Sequence, residues 1–332
     1  MPPMTPESRV SDSLTRQTQQ SFEKMSIAPA NAGRPIATIV IATKNRRNDL
    51  TRALCSAFAQ TCPVEILVMD DGSNDGTQEL VRQDFPDARL VRSEQSRGYI
   101  VQRNAAARIA QTPFLFSIDD DATFSSPDVI SRTIADFSNP RIGAVAIPCI
   151  DVLRSNLPRQ PFPHDHRSHV APQFIGTAYA VRKDVFIQVG GFREELFHQG
   201  EERDFCARLY NRGYVVALGT AGPIHHFESP QRDTRRMDIF GRRNDILFPF
   251  HNAPWPFLVS HLLGTTFHGL TFGLRQRKML RSIRGIVRGY FDGVRAIPRR
   301  EPVQIHVYRL LRQLRQFGSM PMEEAERLLG LN

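Results

Sequence analysis

The sequence predicts an α/β fold with a mostly parallel central sheet and a helical extension at its C-terminal end. Short apolar runs alternate with segments of helical periodicity between residues 36 and 119, which is typical of parallel β-α-β units. Polar clusters follow three of the predicted strands, and open α/β sheets bind ligands at the carboxyl ends of their strands. Beyond residue 246 the chain is first apolar and aromatic and then rich in arginine, which indicates a separate helical part.

The 332 residues divide into three predicted parts. Residues 1–34 are rich in Ser, Thr, Gln and Pro and poor in large apolar residues, so we expect a disordered tail. Residues 35–245 form the predicted α/β domain, and residues 246–332 form the arginine-rich helical extension. The tail lacks the apolar core of a signal peptide, and no apolar run has the length of a convincing transmembrane helix.

Charge and cysteine content indicate the class of partner and the compartment. The net charge of +9 at pH 7 predicts an anionic partner, which can be a nucleotide, a nucleic acid or a membrane surface. The four cysteines are scattered, and the spacing of Cys55 and Cys62 matches no common zinc pattern. We therefore expect reduced thiols and a cytoplasmic protein.

The elements follow in chain order from residue 36. Strands are expected at 36–42, 64–69, 89–91, 114–118, 141–150 and 174–181, with a short one near residue 224. Helices are expected at 48–59, 77–83, 101–109, 183–189 and from 201 to about 213. No G-x-G-x-x-G follows the first strand and no Walker P-loop is present, so a nucleotide site here would use acids and metal.

The strongest signal is the acidic end of the strand at 114–118. Asp119, Asp120 and Asp121 follow it with no spacer, and a sheet cannot bury three adjacent charges. Asp119 and Asp121 point to the same side of an extended segment, whereas Asp120 turns away. Two converging carboxylates suit Mg²⁺ or Mn²⁺, with substrate phosphates as the other ligands. The alternative is an acidic turn that water solvates.

Two further polar clusters lie on the same rim of the predicted sheet. Asp70 and Asp71 end the second strand, where a carboxylate can accept hydrogen bonds from a ribose hydroxyl or a base N–H. The alternative is simple turn formation, because Asp-Gly favours turns. Thr43 begins the polar turn after the first strand, and we place Thr43 and Asp120 in the same nucleotide site.

These stretches, with three others, resemble the motifs of family 2 glycosyltransferases, which have the GT-A fold of nucleotide-diphospho-sugar transferases. They cover about residues 36 to 230 in the order of the family. The stretches are 39–46 (IVIATKNR), 68–77 (VMDDGSNDGT), Arg97-Gly98 with Arg103-Asn104, 119–121 (DDD), 190–197 (GGFREELF) and 200–205 (GEERDF). In two places the chain differs from the family, since Lys44 replaces the frequent tyrosine and Glu202 replaces the usual aspartate.

The resemblance implies an inverting sugar transfer from a nucleotide-diphosphate sugar to a glycan or a lipid-linked acceptor, as in polysaccharide biosynthesis at the cell envelope. In that case Asp70 holds the base, Asp119 holds the ribose and Asp121 binds the metal that bridges the phosphates. A histidine near the metal is expected at His226, with His225 as second choice. Such a metal, Mn²⁺ or Mg²⁺, neutralises the charge that develops on the leaving diphosphate.

Two arginines are candidates for the phosphates, because arginine binds phosphate oxygens in a bidentate manner. These are Arg97 and Arg103, which flank the turn at Gly98. For Arg103 the alternative is an ordinary exposed arginine on a helix. The sequence leaves both interpretations open.

An inverting transferase needs a carboxylate that takes the proton of the acceptor hydroxyl. By resemblance this general base is Glu202, the second acid of the pair that opens the helix at residue 201. We expect crowding by Glu201 and Asp204 to raise the pKa of Glu202. The alternative is that the acids only stabilise the first turn of the helix through its dipole.

Three histidines, His164, His166 and His169, lie in the irregular segment 161–172. Their spacing suggests zinc, but no cysteine or regular element supports a metal site there. We therefore expect a solvated loop near the acceptor.

The C-terminal extension has the composition of a membrane-surface helix. Residues 246–274 are apolar and aromatic and include Trp255, and residues 275–315 hold 12 Arg or Lys against two acids. This combination predicts peripheral attachment to anionic lipid at the inner face of the cell membrane. The alternative is a helical cap that packs on the core and exposes its arginines to water. Nucleic acid is not expected, because no recognised binding motif accompanies the charge.

Two rival functions remain at this stage. The run Asp119 to Thr123 also fits the D-x-D-x-T nucleophile motif of haloacid-dehalogenase-type phosphatases, although that motif belongs on the first strand of its domain. A non-catalytic sugar-binding scaffold with the same fold is the other. Turnover of a nucleotide sugar in the presence of metal distinguishes the three.

Overall fold

A computed structural model describes residues 33–154, 157–163, 165–228 and 234–330. Nearly all of the predicted disordered tail, residues 1–34, lies outside these ranges. The same is true of His164 and of the Ser229-Pro230 pair that follows the predicted metal histidine.

Strands and helices alternate through the first part of the chain, as predicted, and helices dominate the last part. The strands are β1 (Ala37–Thr43), β2 (Val64–Asp70), β3 (Arg89–Arg92), β4 (Phe114–Asp119), β5 (Ala122–Phe124), β6 (Ile142–Ala146), β7 (Cys149–Asp151), β8 (Pro158–Gln160), β9 (His169–Val170), β10 (Tyr179–Arg182), β11 (Val215–Leu218), β12 (Ile224–His226) and β13 (Met320–Pro321). The helices are α1 (Arg47–Phe58), α2 (Thr77–Asp84), α3 (Tyr99–Ile109), α4 (Val129–Ala135), α5 (Lys183–Val189), α6 (Glu201–Asn211), α7 (Thr234–Asn252), α8 (Trp255–Arg275), α9 (Met279–Ala296), α10 (Ile305–Phe317) and α11 (Met322–Leu329).

Nine of the described strands form the central sheet, in the order β13-β9-β11-β6-β10-β4-β1-β2-β3. The strands β3, β2, β1 and β4 are parallel, as predicted for β-α-β units. β10 runs antiparallel to both β4 and β6, so the other half of the sheet is mixed. The mostly parallel character therefore belongs to the N-terminal half of the sheet.

The core of this sheet is apolar on both faces. Ile39 and Ile41 of β1 are 0% exposed on one face, and Val40 of β1 and Leu67 of β2 are at most 4% exposed on the other. Strands buried on both faces need continuous apolar runs, and these runs are what made β1, β2 and β4 recognisable in the sequence.

The register of the parallel strands brings their polar ends together. Thr43 at the end of β1 lies opposite Asp70 of β2, and Ala42 lies opposite Asp119 of β4. The acidic clusters therefore share one edge of the sheet.

A second, four-stranded sheet in the order β5-β12-β7-β8 continues from the acidic turn. β5 begins immediately after Asp121, and β12 pairs with it in antiparallel register, with His226 opposite Ala122. This pairing brings His226, which is more than 100 positions further along the chain, close to the end of β4.

Three long helices, α7, α8 and α9, pack together after the second sheet. α9 contacts α7 through glycines: a Cβ at Gly289 would lie 2.7 Å from Arg243 O, and one at Gly293 would lie 2.2 Å from Phe250 Cδ2. Only glycine allows the two helices to approach this closely. The composition change predicted at residue 246 falls inside α7, a continuous helix. None of the helices in the described part of the chain is long and apolar enough to cross a bilayer.

Candidate active site

The acidic turn after β4 holds a cluster of three potential metal ligands. One ligand atom each from Asp119, Asp121 and His226 lies within 4.8 Å of the others. His226 Nε2 is 3.2 Å from Asp121 Oδ1, so of the two candidate histidines His226 is the one beside the acids. Two carboxylates and an imidazole fit a divalent cation, and the partly exposed Asp119 leaves the cluster open toward a substrate.

Asp121 is kept ionised by its neighbours. Burial alone raises its pKa, but the hydrogen bond and charge of His226, together with Arg46, hold this pKa below the ordinary value. Arg46 Nη1 donates a hydrogen bond to Asp121 Oδ2 at 2.7 Å and lies 3.2 Å from Asp120 Oδ1. The polar turn after β1 was visible in the sequence, but nothing in it indicated that Arg46 would reach the acidic turn.

Asp120 and Thr43 support this turn from inside the protein. Thr43 Oγ1 donates to Asp120 Oδ2 at 2.8 Å, and both residues are buried. Burial raises the pKa of Asp120 to about 7, although the Arg46 charge opposes this shift. The predicted contact of these two residues with a nucleotide stays a prediction, and the structure gives them a role in positioning the turn.

Asp70 is a buried acid with an unused acceptor. The side chain is 0% exposed, and Oδ1 accepts the Ser73 N–H at 2.8 Å. Asp70 Oδ2 has no hydrogen-bond partner among the described residues. An unpaired buried carboxylate oxygen is costly, so this atom is suited to accept a hydrogen bond from a ligand.

In Asp71, by contrast, both carboxylate oxygens already accept hydrogen bonds from the protein. Its two oxygens accept hydrogen bonds from Ser96 Oγ, the N–H groups of Arg97 and Gly98, and Gln102 Nε2, at 2.6 to 3.0 Å. These bonds lower the pKa of Asp71 although burial opposes them. Asp71 thereby fixes the loop before α3. The nucleotide contact predicted for Asp71 stays a prediction. On the same loop, the side chain of Arg97 is exposed.

Arg103 is buried, so its interpretation as an ordinary exposed helix arginine is wrong. Its Nη2 donates to Asp119 Oδ1 at 2.6 Å and to Gly176 O at 2.8 Å. Its Nη1 lies 3.6 Å from Glu201 Oε1. Arg103 therefore joins the acid at the end of β4 to the acids at the start of α6, and a direct bidentate contact with phosphate stays a prediction.

Gly176 is a functional position that the sequence did not reveal. While its carbonyl accepts from Arg103, its N–H donates to Glu202 Oε1 at 3.1 Å. A Cβ here would lie 2.7 Å from Glu202 Oε1 and 2.8 Å from Arg103 Nη1. The backbone of Gly176 thus links Arg103, and through it Asp119, to Glu202, and a side chain would displace Arg103 or Glu202.

The two glutamates that begin α6 differ in their exposure to solvent. Glu201 is completely buried, and burial together with the charge of Glu202 raises its pKa to about 8. Glu202 is partly exposed, and its pKa is also raised, chiefly by burial. The predicted rise is confirmed in direction, but crowding by Asp204 is wrong as a cause. Asp204 is bound by Arg193, Arg208 and Asn252 instead.

The loop before α6 is held by α7. Three carbonyl oxygens, those of Leu196, His198 and Gln199, lie within 2.9 Å of Asn244 Nδ2. The neighbouring Arg243 donates to Glu195 O at 2.9 Å. The position of Glu202 therefore depends on α7, the helix that continues into the C-terminal extension.

The comparisons with known proteins agree with this geometry. Residues 38–192 match the family described as Glycosyl transferase family 2. An N-acetylglucosaminyl-diphospho-decaprenol L-rhamnosyltransferase of Mycobacterium tuberculosis is 28% identical over an aligned length of 237 residues, and the alignment covers 58% of this chain and 76% of that protein. A validoxylamine A glucosyltransferase of Streptomyces hygroscopicus is 31% identical over 139 residues, 40% of this chain and 32% of that one.

The chain is a glycosyltransferase whose residues 38–192 match family 2. Its GT-A fold is confirmed by solved structures. A mannosyltransferase of Pyrobaculum calidifontis in complex with GDP-Man and Mn²⁺ superposes with a TM-score of 0.56 at 19% identity, covering 84% of this chain and 94% of that one. S. aureus TarS 1-349 in complex with UDP-GlcNAc gives a TM-score of 0.59 at 14% identity, covering 89% and 90%.

The family match decides against a phosphatase of the haloacid-dehalogenase type. In this glycosyltransferase Asp119 ends the fourth strand, β4, whereas the phosphatase nucleophile belongs on the first strand of its domain.

The expected solvated histidine loop is confirmed for His166, which is exposed, and wrong for His169. His169 is buried in β9, where its Nε2 lies 3.0 Å from Asp165 Oδ1.

Replacing Arg46 with glutamine in this glycosyltransferase is expected to tighten binding of Mn²⁺ alone by roughly tenfold. The variant removes a cation that competes for Asp121, and a unit charge at a partly exposed site is worth about 1–2 kcal/mol. Titration of Mn²⁺ followed by electron paramagnetic resonance measures the free ion directly. The exposed Arg82→Gln is the control. Unchanged or weaker Mn²⁺ affinity in Arg46→Gln contradicts competition at Asp121.

Proposed function

We propose that this glycosyltransferase is metal-dependent and inverting, and that it moves a sugar from a nucleotide-diphosphate sugar to a hydroxyl of a glycan or lipid-linked acceptor. One observation carries the proposal. Hydrogen bonds through Arg103 and the backbone of Gly176 link Asp119, one of the potential metal ligands, to the partly exposed Glu202 of α6. A transfer with inversion needs this pair: an electrophilic site for the leaving diphosphate and a base on the opposite side.

On the donor side, Asp119, Asp121 and His226 would hold Mn²⁺ or Mg²⁺, and a bound cation would neutralise the charge on the leaving diphosphate. The free Oδ2 of Asp70 would accept a hydrogen bond from the base. Asp119 would contact the ribose, with Arg103 fixing its carboxylate. Arg97, exposed on the loop that Asp71 anchors, would contact the phosphates.

On the acceptor side, Glu202 would accept the proton of the attacking hydroxyl. The oxygen of that hydroxyl forms a bond to the anomeric carbon while the bond from this carbon to the phosphate oxygen breaks. The electron pair leaves with the nucleoside diphosphate, so the configuration at the anomeric carbon is inverted. Glu201, with its pKa raised to about 8, stays mostly protonated near pH 7 and adds little negative charge beside the base.

We also propose that the acceptor is presented at a membrane and that the enzyme works peripherally at the inner face of the cell membrane. The mycobacterial relative is named for a decaprenol-linked acceptor, which supports a lipid-linked acceptor in cell-envelope polysaccharide synthesis. The arginine-rich extension supports attraction to anionic lipid.

The proposal is tested with a panel of nucleotide sugars and Mn²⁺. A donor that binds the folded state raises the melting temperature, which selects the base and the sugar. With that donor, release of the nucleoside diphosphate should require the metal and stop with a chelator, and proton NMR of the product should show the inverted anomer. Retention of configuration, or equal turnover in the chelator, would disprove the corresponding part of the proposal.

A further inference from the structure

α9 carries most of its large apolar side chains on the side that faces away from the protein. Its buried positions are Ser282, Gly285, Ile286, Gly289, Gly293 and Ala296, of which only Ile286 is large and apolar. Leu280 and Val287 are 74% and 61% exposed. A helix on a water-soluble surface has the opposite arrangement, with its apolar side chains toward the core. The outward side chains spaced three or four residues apart are Leu280, Ile283, Val287, Phe291 and Val294.

α8 has the same arrangement. Its Gly269 and Gly273 lie against α9, where a Cβ at Gly273 would be 2.6 Å from Ser282 Oγ. Its exposed large side chains repeat every three or four residues and are Trp255, Val259, Leu263, Phe267, Leu270 and Leu274. Among the described residues, 21 large hydrophobic side chains are exposed, and 12 of them lie between residues 255 and 297. A concentration of this kind marks an interaction surface rather than scattered exposure.

Cations border this apolar surface, and acids are nearly absent from it. Arg284, Arg288 and Arg295 are exposed and each follows an outward apolar residue of α9. Residues 255–300 contain a single acid, Asp292, which accepts a hydrogen bond from Arg243 at 2.6 Å. The Arg295 guanidinium lies 3.7 Å from the centre of the Phe291 ring. A long arginine side chain can cover apolar surface and extend its charge to a phosphate group.

We infer that the outward faces of α8 and α9 form a membrane-contact surface that lies in the plane of an anionic bilayer, with the apolar side chains at the boundary between headgroups and acyl chains. The inference rests on the peripheral location proposed above and names the surface responsible for it. One-sided apolar stripes bordered by arginines suit an interfacial helix. The arginines favour lipid over a second copy of this chain, since paired copies would bring their arginines together.

Flotation of the full-length protein with vesicles tests the inference. We expect binding to phosphatidylcholine vesicles that contain 30% phosphatidylglycerol and little binding to phosphatidylcholine alone. The double variant Phe267→Ser with Phe291→Ser should lower the partition coefficient by roughly a hundredfold, because each buried phenylalanine contributes about tenfold or more. The matched control Ile187→Ser with Phe317→Ser removes two large side chains that are 47% and 67% exposed elsewhere, and should bind like wild type.

A second pair separates the charge from the apolar contact. Arg275→Gln with Arg284→Gln should weaken binding to anionic vesicles by roughly tenfold or more and leave binding to neutral vesicles unchanged. The inference is overturned if wild type binds both vesicles equally, if the phenylalanine variant binds like wild type, or if light scattering shows a dimer that this variant dissociates. Circular dichroism verifies that each variant is folded.

The thermal shift by a nucleotide sugar, measured without vesicles, separates this inference from the proposed function. If the protein binds a donor but no vesicles, the membrane-contact surface is contradicted and the proposed function stands. If it binds anionic vesicles through the phenylalanines but binds no donor, the membrane-contact surface stands and the proposed function is contradicted.

Discussion

Asp121→Ala is expected to abolish metal-dependent binding of the nucleotide sugar. The variant removes a carboxylate that belongs to the three-ligand cluster and that lies 3.2 Å from His226. Without it, only Asp119 and His226 remain for the cation, and the donor phosphates lose their counter-charge. We expect calorimetry with Mn²⁺ and the selected donor to show a loss of at least a hundredfold in affinity.

The fold of this variant needs its own control, since Asp121 also bonds to Arg46. Asp121→Asn keeps the shape and part of the hydrogen bonding, and it should also lose metal-dependent binding. Asp87→Ala removes an exposed acid far from β4 and should bind the donor normally. If the melting temperature of Asp121→Ala matches wild type and its donor affinity is unchanged, the metal role assigned to Asp121 is wrong.

Glu202→Gln is expected to lower turnover by roughly 10²–10⁴, the usual contribution of a positioned general base, with donor affinity nearly unchanged. Glutamine keeps the shape of the side chain and can still accept the Gly176 N–H. It cannot take the proton of the acceptor hydroxyl. The measurements are single-turnover kinetics for the chemical step and calorimetry for the donor.

Comparison with the two nearby acids identifies the base. Glu201→Gln should have the smaller effect, because Glu201 is buried and mostly protonated near pH 7. Asp204→Asn should act through stability, since Asp204 holds Arg193 and Arg208. Normal turnover in Glu202→Gln together with lost turnover in Glu201→Gln would transfer the role to Glu201.

The pH dependence of turnover follows from the direction of the pKa shift. The base must be ionised to act, and burial raises the pKa of Glu202 above the ordinary value of a glutamate. Activity should therefore be present at high pH and fall as the pH decreases through a value above the ordinary glutamate pKa. The acidic limb of the kcat/KM profile measures this pKa. A limb at or below the ordinary value would contradict the burial of the base.

The sequence predicted those parts of the site that depend on local pattern. Apolar runs ending in acids located β2 and β4, and the period of a strand placed Asp119 and Asp121 on one side. Family resemblance added His226 and Glu202. The strands and their acids were predictable because each pattern lies within a few consecutive residues. His226 and Glu202 are distant in sequence from these acids and were predictable only from the motifs of the family.

The rest depended on contacts between distant segments. The sequence left open whether Arg103 contacts phosphate or is an exposed helix arginine, because its partners, Asp119 and the carbonyl of Gly176, come from other segments of the chain. Composition identified residues 246–315 as apolar and basic, but not which side of each helix faces outward. That side is decided by Gly289 and Gly293, whose missing side chains let α7 occupy the inner face of α9.

On the proposed membrane surface, the middle of α7 would act as a spacer of fixed length between the lipid and Glu202, the proposed base. Arg243 O and Ile246 contact α9 at Gly289, while Arg243 and Asn244 hold the loop that leads to Glu202. Because consecutive residues of one helix make both contacts, the fold would set the height of Glu202 above a bilayer that binds the outward faces of α8 and α9. A proposed lipid-linked acceptor would then be selected by length, since only a hydroxyl whose polar spacer spans that height would reach Glu202, whatever the identity of its sugar.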